Sequence, residues 1–315
     1  MNETHDEGCH EARNVRLRIQ NMQTTINNTL RASTGYTFSL SSQISEPLRT
    51  QDGGVRLHEI VRRRRLAEVN PTILTEKILS AKNNRGETVA HLAARWWGLG
   101  YVATMLTPAL LMVCDNYGDT VAHIAAAFGG LEHLGAMLTP NLIMVRNNRG
   151  ATVAHVAASY NCLAELAGML SADMLTSVDI YGNTIAHTAA WYGGLGVMTG
   201  ILNTNVLMVQ NKRGETPAYI AARRRELGDM LGILAPDALI FANPSRRTLL
   251  YYAVKQSILD KIPPSVWQPK WMAKKFSGRP LGVILLKDYP DYVRSLFTDF
   301  HEQIRADFFH HLFTS

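Results

Sequence analysis

The centre of this chain repeats one six-residue motif at a fixed spacing of 32 residues, and this period constrains the fold more than any other feature. Each copy begins with Gly, and four of the five copies end with His. The glycines that open the five copies are Gly86, Gly118, Gly150, Gly182 and Gly214. A fixed period of this size is typical of proteins built from stacked units, in which each unit packs against its neighbours. We therefore predict a repeat array.

The residues around each motif define the unit. Asn or Asp stands three residues before each Gly, and these residue types favour tight turns because their side chains bond nearby backbone amides. An Ala-Ala pair such as Ala93-Ala94 follows each motif, and such small side chains let neighbouring helices approach closely. A large apolar pair such as Met105-Leu106 closes the unit. The pattern predicts a turn, a helix, a second turn and a second helix in every unit.

The stretch Asn83-Asn-Arg-Gly-Glu-Thr-Val-Ala-His-Leu-Ala-Ala94 resembles the ankyrin repeat, whose pattern is Asp-x-x-Gly-x-Thr-Pro-Leu-His-x-Ala-Ala. The departures are systematic, because Pro becomes Val or Ile in four copies and stays only at Pro217, and Leu becomes Ala throughout. The period is also one residue shorter than the usual ankyrin period of about 33 residues. The resemblance covers residues 51–256 and implies an all-α, ankyrin-like solenoid of helix-turn-helix units with helical flanks.

Three regions follow along the chain. Residues 1–50 are a polar N-terminal segment that we expect to be partly helical or flexible. Residues 51–256 form the array, with degenerate units at both ends, as expected for capping repeats that have one solvent-facing side. At the C-terminal end, Thr248 and Tyr251 take the Thr and His places of the motif. Residues 257–315 carry enough aromatic side chains to fold, and we expect a helical segment docked on the last repeat.

The spacing of Thr and His is the same in four copies of the motif, and this indicates a structural role. Thr stands two residues after each Gly and is a residue type that caps helix N-termini. The resemblance implies that each His bonds the turn backbone and ties neighbouring units together. A metal ladder is the alternative, but stacked helices lie about 8–10 Å apart, whereas zinc needs its ligands at about 2 Å. With the five glycines, the predicted scaffold residues are Thr88, Thr120, Thr152, Thr184, Thr216, His91, His123, His155 and His187.

The positions that change between copies are the candidates for partner contact. The resemblance implies contacts from the residue before each turn Gly and from the two residues after Ala-Ala, on the concave face. Trp, Tyr and Arg are frequent there, and these types are enriched in interface hot spots. The alternative is that the aromatic residues pack against adjacent turns as ordinary core. The candidates are Arg85, Arg95, Trp96, Tyr117, Phe128, Arg149, Tyr160, Tyr181, Trp191, Tyr192, Arg213, Arg223 and Arg224.

Composition sets further bounds. The formal net charge is +6, and the arginine runs at 62–65 and 223–225 suit either a solvated helix face or an acidic partner. Three cysteines without metal or disulfide spacing indicate a reducing compartment. Residues 180–211 lack charged side chains, but their glycines and turns indicate a repeat and not a transmembrane helix. Because the N-terminus also lacks a signal-peptide pattern, we expect a cytoplasmic protein without a transmembrane segment.

No catalytic motif is present in the sequence, so we expect no enzyme activity, no cofactor and no metal. We predict a module that binds another protein, one with an acidic and apolar surface, through a groove that is aromatic over four repeats and basic at the fifth. Two alternatives stay open. One is binding of nucleic acid or an acidic ligand by the Arg and Tyr tips, and the other is an adaptor or effector with activity in residues 257–315. The repeats are also similar to ankyrin effectors that bacteria inject, which would place the protein in a host cytosol.

Overall fold

The structure, a computed structural model, describes residues 56–239, 248–256, 258, 261–262, 275–276 and 279–280. Residues 56–239 form a stack of units, and most units contain one longer α-helix, a stretch of 3-10 turns and one short α-helix. The predicted all-α repeat solenoid is confirmed. The N-terminal segment predicted for 1–50 and most of the helical segment predicted for 257–315 lie outside the described residues.

The longer α-helix of each unit, here called the first helix, begins directly after the motif Thr. Its Ala-Ala pair is at most 1% exposed in the five copies, so successive first helices contact each other along the stack. A residue with positive φ follows several of these helices, such as Gly129 at 77° and Asn161 at 57°, which is a common way to end a helix. The first helices are Arg56–Arg62, Val89–Arg95, Val121–Phe128, Val153–Ser159, Ile185–Tyr192, Pro217–Arg223 and Leu249–Lys255.

The predicted second helix is mostly a run of 3-10 turns and not an α-helix. Its buried residues recur every third position, as Leu131 and Leu134 do, and a 3-10 helix with three residues per turn places such residues on one face. Exposed glycines such as Gly135 and Gly168 also lie in these turns, with no atom near the place of a Cβ. The segments are Leu66–Glu68, Pro71–Ile73, Ala103–Met105, Leu131–His133, Gly135–Met137, Leu163–Glu165, Ala167–Met169, Leu195–Met198 and Leu227–Asp229, and the first unit adds an α-helix at Leu99–Val102.

A short α-helix that the sequence analysis missed completes each unit. Its signal is present in the sequence, because Thr107-Pro108 and Thr139-Pro140 combine an N-cap residue with Pro in the first helical turn. The Thr107 hydroxyl accepts a hydrogen bond from the Leu110 amide at 3.2 Å, and Thr139 does the same for Leu142. The short helices are Glu76–Leu79, Pro108–Leu111, Pro140–Ile143, Ala172–Leu175, Thr204–Met208 and Pro236–Leu239.

One apolar core runs through the stack, from Leu57 to the last first helix, where Leu249 and Leu250 are buried. Further along the chain, Lys275–Phe276 pairs antiparallel with Arg279–Pro280, a strand pair that the sequence did not predict. Among the described residues, no helix has both the length and the apolar character needed to cross a bilayer.

Candidate functional site

The turn of each unit is held by its Asn or Asp side chain. In the first copy, Asn83 Oδ1 accepts hydrogen bonds from the backbone amides of Arg85 (2.9 Å) and Glu87 (3.0 Å). The other four copies repeat both bonds. The five motif glycines adopt φ between 68° and 77°, a left-handed conformation that glycine adopts readily. The turn residues therefore fix the direction in which the residue before each Gly projects.

The motif Thr and His form a reciprocal cap at the start of four first helices. In the first copy, the His91 amide donates to the Thr88 hydroxyl, and the Thr88 amide donates to His91 Nδ1 at 3.2 Å. Thr120–His123, Thr152–His155 and Thr184–His187 repeat this capping box. In the fifth copy, Thr216 caps alone by accepting from the Tyr219 amide. Each His thereby satisfies a helix-terminal amide that would otherwise lack a partner.

The other ring nitrogen of each His reaches the next unit. Because Nδ1 accepts from a backbone amide, Nε2 carries the proton and donates to a carbonyl 28 residues further on, as from His91 to Asp119 O at 3.0 Å. His58, in the first described helix, makes the same bond to Glu87 O at 3.1 Å. Burial lowers the pKa of the four motif histidines, to about 4 for His155. Each neutral imidazole therefore connects its own unit to the next one through hydrogen bonds.

The residues before the motif glycines form the tip row, Arg85, Tyr117, Arg149, Tyr181 and Arg213, and all five are exposed. Backbone bonds connect successive tips, since the carbonyls of Arg85 and Tyr117 accept from the amides of Asn116 and Asn148 at 3.0 Å. The carbonyls of Arg149 and Tyr181 accept in the same way from Ile180 and Lys212. The tip row is therefore a regular, hydrogen-bonded edge of the stack.

The second residue after each Ala-Ala pair lies at the end of a first helix, and these residues form the groove row: Trp96, Phe128, Tyr160, Tyr192 and Arg224. The four aromatic side chains are 36% (Trp96), 37% (Phe128), 52% (Tyr160) and 48% (Tyr192) exposed. Three of the preceding positions are half-buried: Trp191 packs partly against the core, and Ala127 and Ser159 are small residues. The groove row is thus accessible.

The arginines beside the groove row are paired within the chain. Arg95 Nη2 lies 2.9 Å from Glu87 Oε1, and Glu87 is buried. Arg223 Nη1 lies 3.3 Å from Glu215 Oε1, eight residues earlier as in the first pair. Arg224 Nε lies 3.7 Å from a carboxylate oxygen of Glu226. The predicted basic end of the groove is therefore largely neutralised by this chain's own carboxylates.

Turn, capping box, inter-unit imidazole bond and buried Ala-Ala pair recur together in unit after unit. These contacts are the ones that the resemblance to the ankyrin repeat implies. No protein-family model matches the sequence, and no curated protein is detectably similar to it. Among solved structures, the ankyrin repeat domain of Bcl-3, a member of the IkappaB protein family, is similar at 22% identity and a TM-score of 0.49, over 67% of this chain and 99% of that chain.

A chain from the complex of the predatory endopeptidase Bd0816 of Bdellovibrio bacteriovorus with the immunity protein Bd3460 is also similar. It shares 22% sequence identity with a TM-score of 0.44, over 55% of this chain and 95% of that chain.

Two residues near the first unit were missed by the sequence analysis. The Trp97 indole donates to the Phe128 carbonyl at 3.0 Å, so this ring connects the ends of two first helices. The Arg64 guanidinium lies 5.6 Å from the Trp96 ring centre and 5.2 Å from that of Trp97, within cation–π range. The adjacent Trp pair was visible in the sequence, but the contact with Arg64 depends on the stacking of two units.

The first arginine run is mainly a solvated helix end. Arg63 pairs with Glu59 at 2.8 Å, and Arg65 donates to Glu68 at 2.9 Å, so both charges have exposed local partners. Within the described ranges, no three His, Cys, Asp or Glu side chains are grouped so that they could hold a metal ion. The residues that the structure brings together on the surface are thus the aromatic side chains of the groove row and the side chains of the tip row.

Proposed function

We propose that this protein binds another protein through the groove row. The observation that carries the proposal is that four successive units each expose a large aromatic side chain at the same position. Aromatic side chains supply large contact areas at low conformational-entropy cost, and Trp and Tyr are enriched among interface hot spots. Packing as ordinary core would instead leave these rings buried, as the Ala-Ala pairs beside them are.

The centre of the groove is apolar and lacks full charges. Ala127 and Ser159 precede Phe128 and Tyr160, and both are small, uncharged residues. The Arg95–Glu87 and Arg223–Glu215 pairs flank this centre. We therefore assign the aromatic rings as anchors for apolar side chains of the partner, with the ion pairs as a polar rim, an arrangement common in protein interfaces.

Replacing Trp96, Tyr160 and Tyr192 together by Ala tests the proposal. Each side chain is at least about one-third exposed in the free protein, so we expect the variant to remain folded. Its thermal stability should be lower, because the buried part of each ring is lost, and it should lose partner capture from cell lysates. A triple Ala variant of Tyr101, Met112 and Val197, which are 46–50% exposed outside the groove row, is the matched control and should retain capture. Normal capture by a folded groove variant would refute the proposal.

A further inference from the structure

The arginines of the tip row differ from those beside the groove. Arg95, Arg223 and Arg224 each lie near a carboxylate of this chain. The side chains of Arg85, Arg149 and Arg213, in contrast, form no ion pair with any residue that the structure describes, although all three are exposed. Among the predicted contact residues, the arginines without an ion pair in the described part of the chain are therefore those of the tip row.

The carboxylates close to the tips in sequence have partners of their own. Glu87 and Glu215 pair with Arg95 and Arg223. Asp115 and Asp179 use one oxygen each to accept two turn amides. Asp115 is also buried. At the fifth tip, the exposed Lys212 adds a further positive charge beside Arg213, and its Nζ donates to the Ile180 carbonyl. An acidic ligand would meet positive charge at the first, third and fifth tips.

The tip row alternates between two chemistries with a period of two units. Arginine occupies the first, third and fifth tips, and the second and fourth carry Tyr117 and Tyr181, which are 63% and 59% exposed. Because the tip backbones are hydrogen-bonded to one another, this alternation is fixed in space. With units stacked about 8–10 Å apart, equivalent arginines recur about every 16–20 Å.

An extended peptide has a matching repeat. A peptide in the extended polyproline II conformation rises about 3.1 Å per residue with three residues per turn. One unit of the stack therefore corresponds to about three peptide residues and two units to about six, and side chains at these intervals lie on one face. Carboxylates placed about six residues apart would meet successive arginines. Apolar side chains midway between them would meet the tyrosine rings.

We propose that the tip row binds an extended acidic segment of a partner protein in which carboxylates recur about every sixth residue. Each carboxylate pairs with Arg85, Arg149 or Arg213, since guanidinium groups bind carboxylates in bidentate geometry. Tyr117 and Tyr181 contact the apolar side chains between the carboxylates. The tip row consists of other residues than the groove row and shares with it only the class of ligand.

Synthetic peptides and the full chain test this proposal. The matched peptide carries three glutamates about six residues apart with Pro midway between them, and the control has the same composition with its three glutamates consecutive. We expect the matched peptide to bind at least about fivefold more tightly, because the control can engage one tip arginine at a time. Equal binding of both peptides would overturn the proposed match between the spacing of the carboxylates and the spacing of the tip arginines.

The variant Arg149→Glu examines the central tip. We expect it to weaken binding of the matched peptide about tenfold, because it replaces an attraction by a repulsion. Lys77→Glu changes the net charge equally at an exposed position away from the tips and should change binding less than about twofold. Equal effects of the two variants would show a non-specific charge effect and overturn the proposal.

Two further experiments distinguish the tip row from the groove row as the binding surface, and a peptide from a nucleic acid as the ligand. The Trp96, Tyr160 and Tyr192 triple Ala variant should bind the matched peptide normally, and loss of binding there would place the peptide in the groove and refute the tip assignment. A single-stranded oligonucleotide serves as the competing polyanion. If it binds more tightly than the matched peptide and loses binding in Arg149→Glu, the tip row is a nucleic-acid surface and the acidic-peptide proposal is wrong.

Discussion

The first and fifth repeat units carry the same Glu–Arg pair beside the groove, and the three units between them lack it. Glu87 pairs with Arg95 and Glu215 with Arg223. At the equivalent positions the middle units carry Asp119 with Ala127, Ala151 with Ser159, and Asn183 with Trp191. The fold of the five units is the same, so this difference concerns the surface and not the scaffold.

This difference shows which arginine side chains are available to a partner. At both ends of the groove, arginines that look accessible in the sequence are held by this chain's own carboxylates. Among the predicted contact residues, the arginines without an ion pair in the described ranges lie on the tips, and the middle of the groove combines aromatic rings with small residues. The two surfaces thus offer different chemistry to a partner, although both belong to every unit.

Lowering the pH should cause the largest loss of stability, and this loss should be greater in the units that contain the motif His than in the fifth unit. The pKa of each motif His is lower in the folded protein than the ordinary 6.5, to about 4 for His155. The unfolded chain therefore binds more protons between these values, and stability is lost as pH falls from about 7 towards 4. The shift of His155 alone corresponds to about 3 kcal/mol.

Urea unfolding at pH 7 and pH 4.5 measures this loss, and amide hydrogen exchange locates it. The fifth unit has Tyr219 in the His place. The amides of its first helix should therefore stay protected from exchange after the helices capped by Thr120 and Thr152 have lost their protection. Uniform loss of protection along the stack, or stability independent of pH, would contradict the role assigned to the imidazoles.

Removal of the two groove carboxylates should have unequal effects. Glu87 has a 3% exposed side chain, pairs with Arg95, and accepts a bond from Asn83 Nδ2 at 3.0 Å. We expect Glu87→Ala to reduce the free energy of unfolding by about 2–4 kcal/mol, because it leaves a half-buried guanidinium and a buried amide without partners. Glu215 pairs with Arg223, whose side chain is 45% exposed, so Glu215→Ala should cost about 1 kcal/mol or less.

Chemical denaturation of both variants provides the comparison. Measurement in high salt adds a control, since the exposed pair should be screened more than the buried one. If the two substitutions had equal effects, the distinction between the buried and the exposed end of the groove would be lost.

The smallest expected change is a stabilisation by Asp115→Asn. Asp115 Oδ2 is buried and has no hydrogen-bond partner among the described residues. Asn147 and Asn211, at the same place in their units, use Nδ2 to donate to the side chains of Asp119 and Asn183, 28 residues earlier. The equivalent residue for position 115 is Glu87, a hydrogen-bond acceptor, so the substitution should add about 1 kcal/mol of stability.

Asp179→Asn is the matched control. Asp179 Oδ2 already accepts from Asn183 Nδ2 at 3.4 Å, so the same substitution there should be neutral or slightly destabilising. Thermal unfolding of both variants measures the difference, and a destabilised Asp115→Asn protein would show that the carboxylate is required at this position.

Much of the scaffold could be predicted from sequence because it rests on local interactions. The Asn83 turn, the Thr88 cap and the Gly86 conformation each involve residues within five positions of one another. The short helix after Thr107-Pro108 has an equally local signal and was missed because the preceding apolar residues had been assigned to one long second helix. The 3-10 turns at Leu131 and Leu134 show the period of three that distinguishes them from an α-helix.

The sequence by itself determined the repeat, its period and the residues that vary between copies. Only the tertiary structure decided which of those variable residues are available: Arg95 is paired, Trp191 is half-buried, and Arg149 and Tyr160 are exposed. The physical reason is that burial and charge neutralisation depend on how units stack. Contacts between residues about one repeat apart, such as His91 with Asp119 and Trp97 with Phe128, form only when the units are stacked.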